Sequence, residues 1–209
     1  MVMRIAIAGG TGTLGRHVAA VLAERGHEVR VLSRGSATYK VDLSTGDGLA
    51  EALAGCDLVV DASNSPSAKG AAQVLAEGSK RLLAAEQAAG VGHHICVSIV
   101  GIEQLPVGYY RVKLQQEAVV EHGPVPWSIV RATQFHELAA ATFRSAARYR
   151  LLPGLRFQVQ TVAAAEVAAA VAQDGRLRPA GRPVGPPPRR PSTAASQQQL
   201  AAARAGRTR

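Results

Sequence analysis

The stretch "GYYRVK" (residues 108–113) sets two phenols within helical reach of one ammonium. Tyr109 lies four residues before Lys113 and Tyr110 three before it, and both spacings bring side chains onto one helix face. A tyrosine held beside a lysine can donate a proton to a carbonyl oxygen as it is reduced. The same pair can also be an amphipathic decoration of a helix start. What the rest of the chain builds around it decides between these.

The glycines come next. In "IAIAGGTGTLGRHVAAVL", Gly9, Gly12 and Gly15 follow a short apolar run and open a helical pattern. A backbone free of side chains there can approach a pyrophosphate, and the helix N-terminus faces its charge. Gly9, Thr11, Gly12, Thr13, Leu14 and Gly15 are therefore the candidate cradle. A tight turn in an unrelated α/β protein is the bland alternative. At the end of the next strand, an acidic residue would grip a ribose 2′-hydroxyl, but this chain has "LSRGS", with Ser33 and Arg34. Arginine makes forked, charge-assisted contacts with phosphate, which favours NADP(H) and leaves NAD(H) open; an ordinary surface arginine is the alternative. Asp42 and Leu43 in "KVDLS" would flank the adenine, and Ala62 and Ser63 in "DASNS" the nicotinamide side. Turn chemistry alone also explains both stretches.

Strand and helix signals alternate from the first residue, which implies parallel strands joined by helical crossovers. Strands are expected at 4–8, 28–33, 56–62, 94–98 and 127–132, with helices after the glycines and at about 48–54, 69–89 and 109–122. "RIAIA" lacks strict alternation, as a strand buried on both faces should. Leu14, Val18, Val21 and Leu22 recur at helical spacing, and Gly26 supplies the stop. The expectation is an α/β, Rossmann-type doubly wound parallel sheet with helices on both faces and a small C-terminal portion. Beyond residue 134, "QFHELAAATFRSAARY" reads as helix, "RFQVQ" as an outlying strand, and Thr161 as the cap of a last helix.

The formal charge of +9 suggests nucleic acid until it is located. Eight arginines lie beyond Asp174, so +7 of the charge sits in residues 174–209 and about +2 in residues 1–173. The body has no basic stripe with interleaved aromatics, which argues against a nucleic-acid partner. The tail holds six of the eleven prolines and almost no large apolar residue, so it is expected to be a disordered segment after a domain of residues 1–173. Its bias, beginning where a folded domain would continue, fits a truncated or frame-shifted C-terminus. Cys56 and Cys96 read as buried small hydrophobes of a reducing compartment. No run approaches a membrane span, and "MVMRIAIAGG" lacks a secretory layout, so a cytoplasmic protein is expected.

With these pieces placed, the sequence resembles the atypical short-chain dehydrogenase/reductase group, specifically its NmrA-like NAD(P)-binding proteins. The likeness rests on "GGTGTLGR", "VRVLSR", "DLVVDA", "CVSIVGIE", "YYRVKLQQE" and "PWSIVRATQFHEL", over roughly residues 3–170. The group contains reductases and cofactor-binding regulators. It implies either an NAD(P)H-dependent reductase of a small ketone, quinone or conjugated carbonyl, or a non-catalytic NAD(P) sensor. For the reductase, the resemblance implies Tyr109 as proton donor, Lys113 as holder of the nicotinamide ribose, and Ser98 as the serine that polarises the carbonyl. An adjacent ammonium would draw a phenol down from its ordinary pKa near ~10 toward a useful value. Ser98 lies closer to the tyrosine in sequence than the family usually places its serine, and a strand-end cap is its alternative role.

Thr133, Gln134 and Phe135, just after the fifth strand, would line the substrate pocket, although Phe135 also suits the core. The few aromatics and short C-terminal portion imply a pocket that is shallow or completed by a second subunit, as in a homodimer. His93 and His94 point to opposite strand faces and have no carboxylate or cysteine at metal-ligand spacing, so no metal site is expected.

Overall fold

Residues 4–8, 28–33 and 127–132 form strands with the bounds their apolar runs predict. The computed structural model describes residues 2–65, 68–104, 108–136 and 161–174. In chain order the elements are β1 (Arg4–Ala8), α1 (Thr13–Glu24), β2 (Glu28–Ser33), β3 (Tyr39–Lys40), α2 (Leu49–Leu53), β4 (Leu58–Asp61), α3 (Ala68–Ala71) and a π-helical stretch, Ala72–Glu77. There follow α4 (Gly78–Ala89), β5 (His93–Ile99), a 3-10 turn (Ile102–Gln104), α5 (Gly108–Glu121), β6 (Trp127–Ala132), β7 (Gln134–Phe135), β8 (Thr161–Val162) and α6 (Ala164–Asp174).

The six-stranded sheet is parallel throughout, in the order β3-β2-β1-β4-β5-β6. That is the doubly wound dinucleotide order, with the switch point between β1 and β4. In β1, the two-residue period divides a continuous apolar run between two layers. Ile5 and Ile7 pack with Leu14, Val18 and Leu22 of α1 and Val167 and Val171 of α6. Ala6 and Ala8 face the opposite layer, with Leu49, Leu53 and Leu82. Both faces of the strand are therefore dry, which is why strict alternation was absent from its sequence.

Helix α1 stops where expected: Gly26 takes φ +80°, and His27 N–H returns to the Leu22 carbonyl. The single helix expected at 69–89 is instead interrupted by the π-helical stretch. Its wider turn rephases the helix, so that Ser79, Leu82, Leu83 and Glu86 form the buried stripe of α4. Two-residue β3 was not foreseen. Thr161 lies in β8, paired with Gln134, rather than capping the last helix, which begins at Ala164. Both cysteines are free and buried, as read. The expectations for "RFQVQ", for most of the helix after residue 134 and for the tail fall outside the described residues.

Candidate functional site

The glycine loop is held by backbone contacts that exclude side chains. Gly9 adopts φ +72°, and a Cβ there would stand 2.7 Å from the Ala62 carbonyl oxygen and 2.8 Å from Ser63 Cα. A Cβ on Gly15 would strike the Gly9 carbonyl oxygen. Gly12 N–H donates to Gly9 O at 2.9 Å, closing the turn. Helix α1 then begins with no side-chain cap and no acid in its first turn. Its first N–H groups are thus left for an anion, and the helix dipole favours one. Thr11, Gly12 and Thr13 are exposed at this mouth, whereas the Leu14 side chain is in the core, so only its backbone can reach a ligand. Gly15→Ala is expected to lower stability by about 1–3 kcal/mol, the scale of overpacking, and to weaken dinucleotide binding; denaturant melts and titration calorimetry check both.

Three hydroxyls mark the carboxyl edge of the sheet. Those of Ser33 at the end of β2, Ser63 just after β4 and Ser98 near the end of β5 are buried without a hydrogen-bond partner among the described residues. An unmet buried hydroxyl costs roughly 1–3 kcal/mol, so three along one edge mark a surface built to meet a polar ligand. A cradle that a Cβ would fill, an uncapped helix and orphaned hydroxyls along one edge together fit a dinucleotide.

Arg34 is exposed beyond Ser33 and makes no hydrogen bond or ion pair among the described residues. Asp42 is committed to its own turn, its Oδ1 accepting the Ser44 N–H at 2.8 Å and hydroxyl at 2.7 Å. Those bonds, with a smaller contribution from Arg34, hold its carboxyl below the usual range. The Leu43 side chain is buried and faces Gly78. Asp42 therefore performs the turn work that the sequence left open for it, and the Leu43 side chain belongs to the core, which was not foreseen from the sequence.

The residues of the opening stretch lie on α5. Tyr109 donates its phenol proton to Asn64 Oδ1 at 2.7 Å, in the loop that follows β4 and abuts Gly9. Tyr110 meets it edge to face, with ring centroids 6.1 Å apart. Lys113 is 3 % exposed and donates to the Val97 carbonyl at 2.7 Å and Gln116 Oε1 at 2.6 Å. The expected lowering of the phenol by this ammonium is absent: burial, then Tyr110, push Tyr109 up to about 12. Ser98 follows Val97 and is 2 % exposed. Thr133 is half-buried, and Phe135 packs against the core, the alternative noted for it. Glu117 and Arg131, joined at 2.6 Å and 3.0 Å, pin α5 to β6.

Sequence reasoning missed the polar interior behind these groups. Asp61, 1 % exposed, accepts from Ser79 Oγ at 3.0 Å, Gln116 Nε2 at 2.9 Å and Ser63 N at 3.0 Å. His94, for which the sequence showed no carboxylate or cysteine at metal-ligand spacing, binds Glu86 through Nδ1 at 2.8 Å. Ligand atoms of His94, Cys96 and Asp61 lie within 4.8 Å of one another, a grouping that the register Asp61↔Cys96 brings about. Both Asp61 oxygens already accept N–H or O–H donors and His94 Nδ1 meets Glu86, whereas His94 Nε2 is buried without a hydrogen-bond partner among the described residues. A groove of about 450 Å³ between α4 and α5, lined by Leu83, Val119 and Pro124 among others, opens on the helical layer and shares no residue with the sheet-edge site.

The chain matches the family model described as NAD(P)H-binding over residues 9–174, and it belongs to that family. The resemblance to the atypical short-chain dehydrogenase/reductase group is thereby borne out. It is 32% identical over 149 residues to "Photosystem II assembly factor Ycf39" of Trieres chinensis, covering 65% of this chain and 47% of that one. It is also 32% identical over 143 residues to "(4-alkanoyl-5-oxo-2,5-dihydrofuran-3-yl)methyl phosphate reductase" of Streptomyces griseus, covering 63% and 48%. The chain thus spans about half the length of the curated relatives it matches. Among solved structures, the NADPH complex of the quinone oxidoreductase QOR2 from Escherichia coli superposes with a TM-score of 0.61 at 20% identity, over 81% of this chain and 63% of that one, a likeness of fold. Among the described residues, no helix is long and apolar enough to cross a membrane.

Proposed function

We propose that the protein is an NADPH-dependent reductase of a small ketone, quinone or conjugated carbonyl. The observation that carries this reading is the contact chain Tyr109–Asn64–Ser63–Gly9, which fixes a phenol to the loop that borders the glycine cradle. Bound reduced nicotinamide would supply hydride. In this reading the Gly9, Gly12 and Gly15 turn lets the pyrophosphate approach closely, the uncapped start of α1 at Thr13 meets its charge, and Ser33 and Arg34 meet the 2′-phosphate. Lys113 steadies the nicotinamide ribose, Ser98 donates to the substrate oxygen, and Tyr109 delivers the proton. Thr133 and Gln134 border the substrate.

Calorimetric titration with NADPH and NADH beside Arg34→Ala tests the cofactor half. The expected result is tighter NADPH binding, weakened roughly 10- to 100-fold in the variant, since one charge-assisted bond contributes about 1.5–3 kcal/mol, with NADH little affected. Equal losses for both cofactors would remove Arg34 from the 2′-phosphate site.

A second reading, a sensor that reads NADP against NADPH for a protein partner, is favoured by one feature. The Tyr109 phenol is spent on Asn64 and pushed up to about 12, away from neutrality. Cofactor binding without turnover of any ketone or quinone would support it.

A further inference from the structure

We propose that Gln116 is the positioning residue of the Lys113 ammonium, coupling it through its amide to the buried carboxylate of Asp61. This assignment rests on the reductase reading for what Lys113 does, and on geometry alone for how Lys113 is held.

Gln116 is fully buried, and both ends of its amide are engaged. Its Oε1 accepts from Lys113 Nζ at 2.6 Å; its Nε2 donates to Asp61 Oδ2 at 2.9 Å and Ser79 Oγ at 3.0 Å. An ammonium has no acceptor and a carboxylate no donor, so the amide fits in one orientation only. The Ser79 hydroxyl, accepting from Gln116, donates in turn to the same Asp61 oxygen at 3.0 Å. A cation on α5 and an anion on β4 are thus joined through a neutral group, in a ring contributed by β4, α4 and α5.

The ring reaches the site at two points. Asp61 Oδ1 receives the Ser63 N–H at 3.0 Å and so shapes the loop that presents Asn64 to Tyr109. Lys113 uses two of its three N–H donors, on Val97 O and Gln116, which leaves one among the described residues for a ribose oxygen. Without Gln116, the ammonium retains one carbonyl, and the loop loses a donor to its carboxylate. A buried polar network half satisfied in this way loosens the groups it was built to fix. Gln116 touches neither cofactor nor substrate in this scheme; it acts through Lys113.

The test is the rate at which an amine-specific acylating reagent labels Lys113 in the cofactor-free protein, read by peptide mass spectrometry. Gln116→Met fills the space without polar atoms, whereas Gln116→Glu, protonated on the oxygen facing Asp61, keeps an acceptor for Lys113 and a donor for Asp61. Labelling is expected to rise roughly tenfold or more in Gln116→Met and to stay near wild type in Gln116→Glu, the reverse of what packing alone would favour. Labelling of Gln116→Met at the wild-type rate in folded protein would overturn the proposal. If that variant does not fold, wild-type protein carrying ¹⁵N-lysine decides. A slowly exchanging ammonium resonance that disappears in Lys113→Met supports the proposal, and its absence from wild type overturns it. Failure of the wild type to bind NADPH would remove the reductase reading alone, since neither readout uses cofactor.

Discussion

Tyr109→Phe is expected to lower turnover of a ketone or quinone by roughly 100- to 10,000-fold, the usual contribution of a positioned general acid, while NADPH affinity changes by less than about twofold. The phenol is anchored by its own proton on Asn64 Oδ1, 2.7 Å away, and phenylalanine keeps the ring that packs edge to face on Tyr110. Only the hydroxyl is lost, so a fall in rate with unchanged binding isolates proton delivery. The pH profile carries the same assignment. Burial pushes this phenol up to about 12, so it remains an acid throughout the neutral and mildly alkaline range. Reduction should therefore show no loss from Tyr109 deprotonation below that value. Oxidation of the corresponding alcohol, which needs the phenolate, should accelerate by about tenfold per pH unit toward the limit of stability. Steady-state assays in both directions measure this, and unchanged turnover in Tyr109→Phe would leave the cradle standing without its chemistry.

The sheet and the cradle were legible because their signals are local. "RIAIA", the glycine triplet and Leu14, Val18 and Leu22 each declare themselves within a few residues, through backbone sterics and burial on fixed periods. Tyr39–Lys40 carried no such signal: a two-residue edge strand has too few side chains to show an alternation. The π-helical stretch was illegible for a related reason, since Ala72–Glu77 contains no residue that breaks or widens a helix on its own account. Lys113 and Gln116, three apart on α5, could have been paired from their spacing. Their true partners could not, because Asp61 and Ser79 are 55 and 37 residues from Gln116 and meet it only once the sheet is wound. The expectation for Tyr109 went astray at this point. It rested on an ammonium four residues away, and that ammonium is turned to a β5 carbonyl and an amide.

Glu86 illustrates the same limit, and the pair it forms should dominate stability. Glu86 lies in the buried stripe of α4, eight residues before His94, and both side chains are fully enclosed. Glu86→Ala is expected to cost about 3–5 kcal/mol, the penalty for stranding one member of a buried pair, whereas Glu86→Leu with His94→Leu should recover most of it. Burial is the largest influence and opposes a charged imidazole, but the Glu86 carboxylate, Cys96 and Asp61 together outweigh it and raise His94 from 6.5 to about 10. Burial, with a smaller push from the Asp61 charge, raises Glu86, and His94 pulls it back. The stabilisation from a raised histidine is fully present below its unfolded value of 6.5 and is lost as the pH rises through about 10. Denaturant melts of wild type and Glu86→Ala from pH 6 to 10 should therefore diverge most at the acid end and converge toward the alkaline end. Parallel curves would mean that the pair is buried neutral, sharing its proton without separated charge.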